Sequence, residues 1–178
     1  IKVASIPNAK LQVYFIDNDD YFHRKSVFFD KENKFFDDND ERAIFFCKGV
    51  LETVKKLGWA PDIVHCNDWM TALIPMYLKT TYRNDPMFKD TKSVFTVYNN
   101  SFNYKFDADI LNKAKAMDVS EGFIKIGCAY SDAVVKADEN IGEILNQIVD
   151  AQPKDICLAE QDDNFSEAYF NLYSSLVN

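Results

Sequence analysis

The chain has 178 residues, enough for one domain that buries roughly 70% of the surface its unfolded form exposes. At 47% hydrophobic, 27% charged and 15% aromatic it has the composition of a globular protein, not of a disordered chain. Twenty Lys and Arg against twenty-eight Asp and Glu leave a net charge of −8, which disfavours nucleic acid and anionic membranes as partners.

No apolar run approaches the roughly 20 residues of a membrane helix, and no secretory leader opens the chain. The chain begins at Ile1 inside a strand-like run, so its first segment is expected to be missing. Cys47, Cys66, Cys128 and Cys157 form no Cys-x-x-Cys pair, and His23 and His65 are the only histidines. That pattern gives no metal site and reads as buried thiols in a reducing cytoplasm. No glycine-rich phosphate loop occurs.

In chain order, Ile1 to Ala4 pairs with a strand over Lys10 to Asp17. Residues 18–40 read as an irregular surface segment with a few Phe anchors. Glu41 to Leu57 is the clearest helix: Cys47, Val50, Leu51, Val54 and Leu57 form one stripe, with acids at its start and Lys55, Lys56 and Gly58 at its end. A buried strand follows at Asp62 to Cys66. Next comes a helix over Asp68 to Tyr82, with Pro75 as an internal conflict, then a strand at Lys92 to Val97. Helices are predicted around Ile110 to Met117 and over Ser120 to Tyr130. They are followed by a strand at Ala133 to Ala137, a helix at Ile141 to Val149 and a short strand at Asp155 to Ala159. An amphipathic helix, Asn164 to Leu176, is the last element. This alternation predicts an α/β fold, a doubly wound, mostly parallel Rossmann-like sheet with helices on both faces.

Such sheets bind ligands beyond the carboxyl ends of their strands. One strand ends in His65-Cys-Asn-Asp-Trp69, the other in Tyr98-Asn-Asn-Ser101. If the two strands are parallel neighbours, their polar ends share a rim whose carboxylate, amide, hydroxyl and indole groups suit a sugar. Plainer readings stand beside this one. Asp68 can be a helix cap, His65 a satisfied near-core histidine, Trp69 a packing residue, and Asn99-Asn100 ordinary turn chemistry.

Trp59 to Leu78 resembles the P-D-[VI]-[VI]-H-x-x-D-W-x-[TA]-x-L-x-P-x-[YL]-L block of bacterial glycogen and plant starch synthases. Lys92 to Asn99 resembles that family's K-[ST]-[VI]-F-T-[VI]-H-N block, Ala129 to Val135 a later strand entry, and Val13 to Asp17 an earlier strand. The resemblance implies the N-terminal, acceptor-side half of a two-domain GT-B glycosyltransferase, with the whole of residues 1–178 as one domain and the C-terminal donor-binding domain absent. Its implied activity is transfer of glucose from ADP-glucose or UDP-glucose to an α-1,4-glucan or maltooligosaccharide, with retention. The nucleotide sugar is then a substrate, and no cofactor is implied.

By position, Tyr98 stands where the family has a catalytic histidine. Asp68, Asn99, His65, Trp69 and Asn100 fall at substrate-binding positions. The departures matter: Tyr98 itself, Asn67 and Met70 at histidine-like positions of the Asp-Trp block, and the lack of a Lys-x-Gly-Gly-Leu segment. They leave a second reading open, a catalytically incomplete stand-alone domain that binds glucan or a protein partner; under the first reading, transfer needs a donor-binding domain in cis or in trans.

Overall fold

The computed structural model describes residues 1–99, 122–152 and 165–178, and the backbone of 156–158. The helix expected at Ile110 to Met117 lies outside the described residues, as do Asn100 and Ser101.

Strand β1 (Lys2–Ile6) pairs antiparallel with β2 (Leu11–Phe15), as the sequence predicts, and forms a two-stranded sheet of its own. The main sheet comprises β3 (Ile63–Asn67), β4 (Lys92–Val97), β5 (Ala133–Lys136) and β6 (Ile156–Leu158), all parallel and adjacent in chain order. Among the described residues the α-helices are α1 (Asp19–Phe22), α2 (Asn39–Leu57), α3 (Leu73–Lys79), α4 (Phe123–Tyr130), α5 (Glu143–Asp150) and α6 (Phe165–Val177).

The sheet is covered on both faces. Alternation along β4 sends Phe95 and Val97 to one side, where they meet Cys66, Val134 and the buried residues of α2, α3, α4 and α5. Val94 faces the other way with Ala133 and Val135, under Tyr169, Leu172, Tyr173 and Leu176 of α6. Those four residues step three and four apart, the spacing of one helical face.

Helix α2 begins two residues before its predicted start. Its buried stripe runs Ala43, Cys47, Leu51, while Leu57, expected on that stripe, is exposed. Gly58 closes the helix at φ 68°, its N–H bonded to the carbonyls of Lys55 and Val54. The single helix expected over Asp68 to Tyr82 is instead a 3₁₀ turn, Trp69–Thr71, followed by α3. The break resolves the proline conflict. Pro75 is the third residue of α3, where a backbone N–H would have no intrahelical acceptor, so its ring costs the helix nothing.

Candidate functional site

Strands β3 and β4 are adjacent, with Asn67 in register with Thr96, and the Asp68 N–H donates to the Thr96 carbonyl at 3.0 Å. Their polar ends therefore share one rim. Side-chain alternation then divides it: His65, Asn67, Thr96 and Tyr98 lie on the α6 side of the sheet.

There His65, Asn67 and Tyr98 line an open cleft of about 730 Å³, whose other wall is α6, with Phe165, Tyr169, Phe170 and Tyr173. Tyr98 Oη donates to Asn67 Oδ1 at 3.0 Å. Burial, together with nearby Tyr169, Asp68 and Asp138, raises the Tyr98 pKa, so the phenol stays protonated at neutral pH and acts as a donor.

Asp68 occupies the N-cap position of the 3₁₀ turn, yet its side chain makes no cap hydrogen bond. The cap reading is thus corrected. Its backbone takes φ 62°, ψ 179°, a conformation that disfavours a residue with a Cβ. Neighbouring bonds hold it there: the Asp68 carbonyl accepts from Thr71 N at 3.1 Å and from Thr71 Oγ1 at 3.0 Å. Strain of this kind, clamped at the exit of a parallel strand, is a common mark of a binding site.

The remaining residues singled out in the sequence separate. Asn99 is exposed at the end of β4, and a Cβ on Gly142 at the start of α5 would come within 3.9 Å of its Oδ1. Trp69 is buried and packs its indole between Phe28 and Phe35, at ring distances of 5.0 and 5.7 Å, so it serves the core and not the rim. His65 matches the plainer reading as well. Its Nδ1 is 2.5 Å from Tyr173 Oη and its Nε2 2.6 Å from Thr96 Oγ1, with the Tyr169 ring 5.4 Å away.

Asn67, Thr96 and the aromatic residues of α6 were not singled out as site residues in the sequence. Asn67 had an available signal, since it shares the strand parity of His65. The α6 residues had none, because nothing in their own pattern says which sheet face they cover.

Burial lowers the His65 pKa, because the charged ring would lose hydration that its two hydroxyl partners do not replace. The unfolded chain takes up a proton near the ordinary value of about 6.5, so it binds more protons than the folded one as pH falls through that range. Stability is therefore present above about pH 6.5 and declines below it. We expect the thermal midpoint to fall more between pH 7 and 5 for the wild type than for His65→Gln, which keeps polar groups but cannot titrate. Equal slopes by calorimetry would remove His65 from the pH response. His23, the other histidine, is solvent-exposed beside Asp19.

Cys47, Cys66 and Cys128 are buried free thiols, and burial pushes Cys47 up to about 12. Among the described residues no group of three His, Cys, Asp or Glu is placed to hold a metal, and no helix is long and apolar enough to cross a membrane.

A family model described as "Starch synthase catalytic domain" matches residues 1–150. The chain belongs to this family. A glycogen synthase of Thermotoga maritima is 36% identical over 171 residues, covering 85% of this chain and 34% of the relative. A glycogen synthase of Pelodictyon phaeoclathratiforme is 46% identical over 100 residues, covering 56% of this chain and 20% of the relative. The chain thus spans about a fifth to a third of the length of these curated relatives. The fold is also that of the catalytic domain of Starch Synthase IV from Arabidopsis thaliana bound to ADP and acarbose. The TM-score is 0.57 at 21% identity, covering 76% of this chain and 29% of that one. The starch synthase resemblance read from Trp59–Leu78 and Lys92–Asn99 is thereby confirmed, and so is the α/β fold class.

Proposed function

We propose that this chain is the acceptor side of a glucosyltransferase. It holds an α-1,4-glucan or maltooligosaccharide at the rim beyond β3 and β4 and presents the glucan's end to ADP-glucose or UDP-glucose. The observation that carries the proposal is Asp68, held in a strained backbone conformation at the strand exit. A carboxylate there can accept hydrogen bonds from sugar hydroxyls, while Asn67 and Tyr98 offer amide and phenol groups near it. A neutral polymer suits an acidic chain, because charge neither attracts nor repels it. The reading calls for no cofactor, since the nucleotide sugar is a substrate, and it places the protein in the cytoplasm, where such sugars are made.

The donor's phosphates need cationic or backbone N–H ligands, and we assign these to a second domain acting in cis or in trans. In that arrangement the developing positive charge on the transferred sugar is met by polar groups fixed between the two domains. Tyr98, at the family's histidine position, can donate a hydrogen bond but cannot carry a positive charge. Its bond to Asn67 favours binding over chemistry for this domain alone.

The test is binding of maltoheptaose by calorimetry, alongside transfer of labelled glucose from ADP-glucose and UDP-glucose. The expected result is binding by the wild type, weakened at least tenfold by Asp68→Ala, the loss of roughly one charged hydrogen bond. Transfer is expected only when a donor-binding domain is supplied. Binding that is unaffected by Asp68→Ala would overturn the assignment of Asp68 to the glucan site.

A further inference from the structure

We propose that α6 is the stacking wall of the glucan cleft: Phe165 and Phe170 take the flat C–H faces of glucose units whose hydroxyls are held by Asn67 and Tyr98. The inference rests on the rim being a glucan site and deepens that reading. It begins with a division of labour along α6. Tyr169, Leu172, Tyr173 and Leu176 pack on Val94, Ala133 and Val135 and so anchor the helix to the sheet. Phe165 and Phe170 take no part in that packing. They are 54% and 68% exposed, yet both line the cleft shared with Asn67 and Tyr98.

Two large rings left in water beside convergent polar groups mark a binding surface more often than an accident of packing. Helix α6 also lies beyond residues 1–150, the span of the family match, so the family's own sequence pattern does not account for these rings.

The chemistry selects the occupant. The face of a phenyl ring is electronegative, and the axial C–H bonds of a pyranose are electropositive, so the two pack face to face. Amide and phenol groups at the same opening satisfy the equatorial hydroxyls that such stacking leaves at the sugar's edge. A cleft of about 730 Å³ is in the usual range for a small ligand, here a few sugar units. The Phe165 ring is further set by an edge contact with Tyr169, at 6.1 Å, which orients it without covering it.

The experiment measures maltoheptaose affinity by calorimetry on the full chain as wild type, Phe165→Ala, Phe170→Ala, Phe170→Leu, Phe170→Tyr and Asp68→Ala. Thermal midpoint and light-scattering mass are recorded for each. Both rings are exposed, so the alanine variants are expected to keep the wild-type midpoint. Each is expected to weaken binding about five- to tenfold, the scale of one lost ring contact. Phe170→Leu should weaken it as much as alanine, because it keeps apolarity but loses the flat face, while Phe170→Tyr should restore it.

Wild-type affinity in all the α6 variants, together with loss in Asp68→Ala, would overturn the α6 proposal and leave the rim reading intact. No binding by the wild type would overturn both. Loss in the α6 variants with no effect of Asp68→Ala would support the stacking wall and remove Asp68, but not Asn67 and Tyr98, from the glucan site. A dimer dissolved by Phe170→Ala, with glucan affinity unchanged, would show that the rings serve self-association and would overturn the proposal.

Discussion

Replacing Gly127 with valine is expected to cost about 3 kcal/mol of unfolding free energy, which for a chain of this length lowers the thermal midpoint by about 6–12 °C. Gly127 lies in α4 with the far end of the Phe95 ring against it. A Cβ there would stand 2.6 Å from Phe95 Cε1 and Cζ and 2.8 Å from Cε2. Phe95 is fully buried on β4, between β3 and β5, and its ring cannot swing away. A helical glycine ordinarily costs about 1 kcal/mol against alanine, so propensity alone would make Gly127→Ala stabilising. The contact reverses that sign, and alanine is expected to destabilise and valine more so. Adding Phe95→Leu should recover part of the loss, a coupling that a double-mutant cycle measures. A Gly127→Ala protein more stable than the wild type by the roughly 1 kcal/mol of helix propensity would show that the Phe95 contact does not constrain this position.

This contact illustrates what the sequence could not show. The alternation of apolar strands and amphipathic helices made the parallel sheet legible, because period and composition are local properties. Adjacency is not. That β3 and β4 are neighbours, and that Gly127 must be small because Phe95 is large, depends on residues 29 and 32 positions apart. The single helix that the spacing predicts over Asp68 to Tyr82 differs from the structure for a related reason. Its apolar spacing is genuine, yet a tight exit from β3 occupies the first four residues, and the position of Pro75 becomes clear only once the true start at Leu73 is known.

The site divides along the same line. Asp68 and Tyr98 were visible as polar residues closing apolar runs. The strain at Asp68 was not visible, because φ 62° is imposed by bonds to Thr96 and Thr71 and leaves no mark in composition. His65 satisfies both ring nitrogens with hydroxyls, one of them on a helix 108 residues later in the chain. Trp69 faces inward because residues 28 and 35, inside a segment that reads as irregular surface, supply the rings around it.

That segment leads to the second large effect. Arg42→Met is expected to lower stability by about 3 kcal/mol and to weaken glucan binding, although Arg42 belongs to α2 and does not line the cleft. Its guanidinium is buried. It donates from Nε to the Tyr21 carbonyl at 2.9 Å, from Nη1 to the Val27 carbonyl at 2.7 Å, and to Asn39 Oδ1. Asn39 in turn donates to the Phe28 carbonyl at 2.9 Å. These bonds fasten residues 21–28 to α2 and hold Phe28 against Trp69, the residue that follows Asp68.

Methionine keeps the stem's apolar contacts but supplies no donor. If the segment stays closed, the Tyr21 and Val27 carbonyls are left unpaired, at about 1–3 kcal/mol each. If it opens, Trp69 loses Phe28, and the strained turn at Asp68 loses its support from beneath. Either outcome destabilises, but only the second reaches the ligand. A parallel fall in midpoint and in maltoheptaose affinity would show that the loop holds the rim in place. A fall in midpoint alone, with affinity intact in the folded fraction, would confine Arg42 to stability, and an unchanged midpoint would refute its role as an anchor. Arg42→Lys is expected to recover little, since an ammonium cannot reach two backbone carbonyls and an amide from one planar fork.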